Sequence, residues 1–136
     1  MSDFAFDMNQ MHHKYGVHKW FEENKGNKEL MAKYLQFRLS MVEEELNETK
    51  DAVANKDAEE IVDGLIDICV FAIGTLDVLG VDANKAWDEI YRANTSKEVG
   101  VKEGRPNPLG LPDLIKPDGW VGPSHEGNHG KLPEIL

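Results

Sequence analysis

The sequence predicts an all-α protein, four-helix-bundle-like, followed by an irregular C-terminal tail rich in proline and glycine. Three observations predict it. Apolar residues recur three and four positions apart over long windows, which sets them on one face of a helix. Asparagine or aspartate stands ahead of each long window, where a side-chain oxygen can cap the first free amides. All six prolines lie beyond Lys97. Residues 1–97 therefore read as the helical part, and 98–136 as a tail of the same domain.

The first helix is expected from about Asp3 to Tyr15, with Ser2 or Asp3 as its cap. Phe4, Met8, Met11 and Tyr15 fall on one face, and Gly16 ends it. Trp20 and Phe21 add an apolar patch before the turn Lys25-Gly26-Asn27. Asn27 opens a long second helix that runs to about Asn55. Its two stripes, Leu30, Tyr34, Phe37, Met41 and Leu35, Leu39, Val42, Leu46, predict burial on two sides. Asp57 caps a third helix, Ala58 to Leu79, apolar nearly all round from Leu65 onward. That pattern is expected of a central, fully packed helix, with Gly80 just past its end. Asp82 caps a fourth, with Ala86, Trp87, Ile90 and Tyr91 on its apolar side. Beyond it, Pro106, Pro108, Pro112, Pro117, Pro123 and Pro133, with many glycines, exclude regular helix or sheet. Such a segment is a linker, a lid, or an arm around a partner subunit.

A chain of 136 residues builds one hydrophobic core. Its net charge of −10 argues against a nucleic-acid partner, which needs a basic face. Anionic small molecules stay open if metal cations intervene. The longest apolar run, Ile68 to Gly74, is too short to cross a membrane, and the N-terminus lacks the features of a signal peptide. Cytoplasm is the expected compartment. The single cysteine, Cys69, lies in that run and reads as a small buried hydrophobe.

The informative feature is where the acids sit. Glu44, Glu45 and Glu48 continue the stripe of Leu30, Tyr34, Phe37 and Met41. Glu60, Asp63 and Asp67 share a stripe with Phe71, Gly74 and Val78. Two consecutive helices thus carry carboxylates on faces that elsewhere point to a core. Burying unpaired carboxylates is costly or forces protonation. The nearby bases are few: Arg38, Lys50 and Lys56. A hard divalent cation, Mg2+ or alternatively Mn2+, supplies the missing charge and keeps positions for substrate phosphates. Carboxylates at i,i+3 or i,i+4 on facing helices can hold it inside a bundle. The bland alternative is a solvated acidic helix face. Asp63 and Asp67 weigh against it, because acids inside the apolar stretch from Ile61 to Cys69 have little other reason to be there.

His12, His13 and His18 raise a transition metal, but their spacing does not put all three on one helical face and Gly16 intervenes. They read as surface histidines. His125 and His129 lie in the tail without a pattern. The segment from Gly100 to Pro106 is not a phosphate-binding glycine loop, and no nucleophilic serine or cysteine arrangement is visible.

These residues resemble a known family. Glu44-Glu45-Leu46-Asn47-Glu48, with the acids near Asp67, resembles the Glu-Glu-x-x-Glu … Glu-x-x-Asp signature of the all-α nucleoside triphosphate pyrophosphohydrolases. That group holds MazG-like proteins, dimeric dUTPases and phosphoribosyl-ATP pyrophosphohydrolase. Asp63 to Asp82 is similar to the third helix and turn of MazG-like proteins, and Glu89 to Lys97 to their fourth-helix ending. Lys116-Pro117-Asp118-Gly119-Trp120, with Pro123, resembles a tail segment of small MazG-like proteins, phage-encoded ones included. The likeness spans roughly residues 8 to 123. It departs at one place. If Asp67 is the signature's aspartate, the glutamate position holds Gly64, and Asp63 is the substitute ligand; a second register takes Glu60 and Asp63.

The resemblance implies Mg2+-dependent hydrolysis of a nucleoside triphosphate between its α- and β-phosphates, to monophosphate and pyrophosphate. It implies Glu45, Glu48, Asp63 and Asp67 as metal ligands. Glu44 would serve a second metal or orient the attacking water. Asn94 and Lys97 would contact phosphates or sugar, and Lys116 and Trp120 would close over the nucleotide. Homodimers or homotetramers are expected. The alternative reading is a non-catalytic helical module that binds a nucleotide or a partner.

Overall fold

The computed structural model describes residues 1–104 and 107–136. Arg105 and Pro106, part of the predicted irregular tail, lie outside the described residues. The all-α expectation holds: helix makes up 63% of the described residues, with only a two-stranded sheet among them beside it. Among the described residues, no single helix is long and apolar enough to cross a membrane.

The helix starts follow the capping residues. Helix α1 (Phe4–Lys14) begins after Asp3, whose carboxylate accepts the Phe6 amide at 3.1 Å. Gly16, left-handed at φ 74°, separates it from α2 (Val17–Asn24). The sequence predicts only an apolar patch there, because eight residues carry too little periodicity to stand out. Asn27 caps α3 (Lys28–Ala54) on the Leu30 amide at 3.0 Å, and Asp57 caps α4 (Ala58–Val78) on the Glu60 amide at 3.2 Å. Helix α5 (Ala83–Thr95) follows. Later come strands β1 (Glu98–Gly100) and β2 (Asp113–Ile115), then a short helix α6 (Leu132–Ile135).

The chain divides into two compact units, one of Met1–Ala83 with Gly127–Leu136, the other of Asn84–Glu126. In the first, α3 and α4 form an antiparallel pair across the turn at Asn55-Lys56-Asp57. Arg38 bonds Thr75 Oγ1 at 2.9 Å and the Phe71 carbonyl at 3.2 Å, and Thr49 meets Gly64 toward the other end. A Cβ on Gly64 would run into Thr49 Oγ1, which is itself held by the Glu45 carbonyl at 2.7 Å. The residue that breaks the acidic signature is thus the close-approach point of the two helices. Gly64→Ala is expected to lower stability by about 1–3 kcal/mol, and adding Thr49→Ala to recover part of it. Urea unfolding reads both; an unchanged midpoint for Gly64→Ala would contradict this packing.

The core of this unit gathers Phe21, Met31, Val78, Leu79 and Ile135. Ile135 arrives from the far end of the chain. The Lys131 amide donates to the Leu79 carbonyl at 2.6 Å, and Asn128 bonds both backbone groups of Asp82, at 2.8 and 2.9 Å. Gly130 lies so close to the Leu79–Val81 backbone that no Cβ fits.

Four expectations are corrected here. The buried face of α1 is Met8 and His12, while Phe4 and Tyr15 are exposed. Apolar periodicity could not register a histidine drawn inward by a distant partner. Helix α4 is not fully packed within one chain: Val62, Leu65 and Ile66 are more than half exposed, as are Phe37 and Leu39 on α3. Its packing partners in the first unit, α3, α1 and α2, leave that side uncovered. Cys69 is exposed rather than buried, on the same uncovered helix. Finally, the region after Lys97 does hold regular elements. In the second unit β1 and β2 pair antiparallel, with Glu98 opposite Ile115 and Gly100 opposite Asp113. Each strand is three residues long, and Pro112 and Pro117 fall outside β2. Prolines limit such strands in length but do not forbid them. Pro133 sits in the first turn of α6, where its missing N–H costs nothing.

Candidate active site and a histidine–aspartate cluster

The long α3–α4 pair places the predicted acids near one another. Glu44, Glu45 and Glu48 lie on the half of α3 nearest the turn, and Asp63 and Asp67 on the facing half of α4. Glu45 and Asp67 are partly covered, while Glu44, Glu48 and Asp63 are exposed. The Glu45 carboxyl is pushed above the usual carboxylate range, first by partial removal from water. The charges of Glu48, Asp67, Glu44 and Asp63 then push it further. Carboxylates from both helices therefore act on one group. Among the described residues, none of these five acids has a Lys, Arg or His nitrogen within 4.0 Å. Arg38 is bound to Thr75 and Phe71 instead, with its guanidinium 5.1 Å from the Phe71 ring centre. All the donors are hard oxygens, the set that suits Mg2+ or Mn2+. No three of these carboxylates converge within 4.8 Å among the described residues.

The second unit builds its own cluster. Trp120 donates from its indole nitrogen to the Ala93 carbonyl and to Ser96 Oγ, both at 2.9 Å. That pins the ring to the last turn of α5. Lys97 Nζ lies 5.4 Å and Lys116 Nζ 5.0 Å from the ring centre. Two cations on one anchored aromatic ring make a patch suited to anions or a flat base. Asn94 is exposed in the last turn of α5, and its carbonyl accepts the Lys97 amide at 3.3 Å. Beside it, Arg92 reaches the Val121 and Gly122 carbonyls, and Glu89 accepts the Ser124 amide at 3.1 Å. Those contacts hold Glu89 below the ordinary glutamate range, the Ser124 amide contributing most and Arg92 next.

A third cluster is built on two of the histidines that the sequence predicts to lie at the surface. His12 is 3% exposed, not a surface histidine. Its Nδ1 lies 2.9 Å from Asp77 Oδ2, and His18 Nε2 lies 2.7 Å from the same oxygen. Asn9 donates to Asp77 Oδ1 at 2.9 Å. His13 stacks on His18 with ring centres 4.3 Å apart. Burial lowers the His12 pKa against the opposing pull of Asp77. Burial would raise Asp77, but the bonds from Asn9 and His12, with His18, hold it below the ordinary range. The histidines themselves, with an aspartate, Asp77, in the apolar end of α4, are the signal in the sequence; what it lacks is that Gly16 lets α1 and α2 turn two of them to one point.

An acid-faced antiparallel helix pair in an all-α chain fits the class of nucleotide pyrophosphohydrolases, and the family match carries the assignment. The profile of the phosphoribosyl-ATP pyrophosphohydrolase family matches residues 15–94, more than half of the sequence, and the chain belongs to that family, within the all-α MazG-like superfamily. It is an enzyme of that class, a hydrolase acting on acid anhydrides. The family is generally dependent on divalent metal, and its substrates are nucleotides. Among curated proteins and among solved structures, nothing matches the chain.

Proposed function

We propose that this protein hydrolyses nucleoside or deoxynucleoside triphosphates between the α- and β-phosphates, with Mg2+ as cofactor. The observation that carries this reading is the set of acids on the facing halves of α3 and α4, with no Lys, Arg or His nitrogen within 4.0 Å of them among the described residues. Glu45, Glu48, Asp63 and Asp67 are the ligands we assign. When bound, Mg2+ supplies positive charge to phosphate oxygens and lowers the pKa of water at the site. To Glu44, exposed next to Glu45, we assign orienting the attacking water and accepting its proton. The Lys97–Lys116–Trp120 patch, with Asn94, binds the nucleotide through its charge and its flat ring. The exposed apolar residues of α3 and α4, Phe37, Leu39, Leu65 and Ile66 among them, support assembly as a homodimer or homotetramer. Sedimentation equilibrium tests that assembly, and a monomer at micromolar concentration would rule it out.

The test of activity is turnover of a panel of ribo- and deoxyribonucleoside triphosphates, with phosphoribosyl-ATP, in Mg2+. Pyrophosphate and orthophosphate are assayed separately. Pyrophosphate with monophosphate is expected. Orthophosphate with diphosphate would overturn α–β cleavage, and equal rates in chelator would overturn the metal dependence.

A further inference from the structure

We infer that His12, His18 and Asp77 form a second metal site, for one Zn2+-type divalent ion, through His12 Nδ1, His18 Nε2 and Asp77 Oδ2. The three come from α1, α2 and α4, and their ligand atoms all lie within 4.8 Å of one another. Asp77 lies ten residues beyond Asp67, about 15 Å along α4, so this is not the acidic face.

The geometry of the carboxylate carries the inference. A carboxylate offers two oxygens, yet both imidazoles point at Oδ2, while Oδ1 is taken by the neutral amide of Asn9 at 2.9 Å. Holding one oxygen from outside and leaving the other to face two ring nitrogens is how a protein orients a carboxylate ligand for a metal. At the His18 end, Nε2 faces both a donor and an acceptor. Asn9 Nδ2, a donor, lies 3.4 Å from His18 Nε2 on one side, and Asp77 Oδ2, an acceptor, lies 2.7 Å away on the other. A proton on Nε2 satisfies the oxygen and confronts the amide; without it the nitrogen confronts the oxygen. A cation shared by Nε2 and Oδ2 removes the second conflict. Stacking on His13 fixes the plane of the His18 ring, and burial fixes His12. Two imidazoles and one carboxylate suit Zn2+ or Co2+ rather than Mg2+, and three protein ligands leave a position for water. The bound ion would tie α1 and α2 to α4.

The full chain, stripped with chelator, is titrated with Zn2+ while imidazole nitrogens are followed by long-range 1H–15N spectra. One equivalent is expected to shift His12 Nδ1 and His18 Nε2 ahead of His125 and His129. Tm is expected to rise by about 5 °C or more at saturating Zn2+. His18→Gln and Asp77→Asn should each weaken Zn2+ binding at least about tenfold. A Glu45→Gln/Glu48→Gln chain should bind Zn2+ like wild type. The inference is overturned if one equivalent leaves those two nitrogens unmoved in folded wild type. It is equally overturned if the ion goes first to the α3–α4 carboxylates, or if both single variants keep wild-type affinity. Should a variant fail to fold, the wild-type spectra decide alone.

Discussion

Glu48→Gln and Asp67→Asn are each expected to lower kcat/KM by about 10²–10³-fold, the equivalent of ~3–4 kcal/mol of transition-state stabilisation. The reason is charge. Each substitution removes one oxyanion from the set we propose to hold a divalent cation against the phosphates. The metal-free protein responds in the opposite direction. Glu48 and Asp67 both push the Glu45 carboxyl upward, so losing either charge relieves repulsion. The Tm of each variant in chelator is therefore expected at or above that of wild type, while Mg2+ no longer raises it. Glu43→Gln, on the exposed side of the same helix, serves as the control and keeps wild-type turnover. Steady-state kinetics with a pyrophosphate assay, beside thermal unfolding in Mg2+ and in chelator, reads all of this. Wild-type kcat/KM in either variant would remove these residues from the site.

Ending the chain at Glu126 is expected to abolish cooperative folding of the first unit at 37 °C. The ten residues removed include Ile135, 2% exposed among Phe21, Met31, Val78 and Leu79. They also include both Asn128 bonds to the Asp82 backbone and the Lys131 amide on the Leu79 carbonyl. Replacing Ile135 by alanine alone should cost about 2–5 kcal/mol. Total stabilities of small domains are about 5–15 kcal/mol, so the full deletion removes a large share. Urea unfolding followed by circular dichroism tests both chains. A truncated protein with a Tm within about 2 °C of the full chain would show that these contacts contribute little.

The two predictions differ in how far the sequence alone reaches. Helix starts at Asp3, Asn27 and Asp57 were legible because a cap is a local bond, three residues long, written in one side chain. The nearness of the acids of α3 and α4 was legible because helical phase sets Glu45 and Glu48 on one stripe and Asp63 and Asp67 on another, and phase is also local; the role we assign them is a proposal. The family likeness rested on that same stretch, and the matched residues 15–94 contain it. The role of Gly64 was not legible. Read as a missing ligand, it is the place where Thr49 of the other helix comes too close for any side chain.

What the sequence by itself determined is the class: helices, their caps, the acidic faces and the kinship with pyrophosphohydrolases. Local spacing and side-chain chemistry suffice for each. The tertiary structure alone decided three things. It drew His12 inward to Asp77, 65 positions away, against an apolar pattern that favoured other residues of α1. It returned Ile135 to a core built from α2, α3 and α4. It left Val62, Leu65 and Ile66 uncovered on a helix whose composition predicts complete burial. Each depends on partners distant in the chain, and no periodicity within a single helix records which distant partner will arrive.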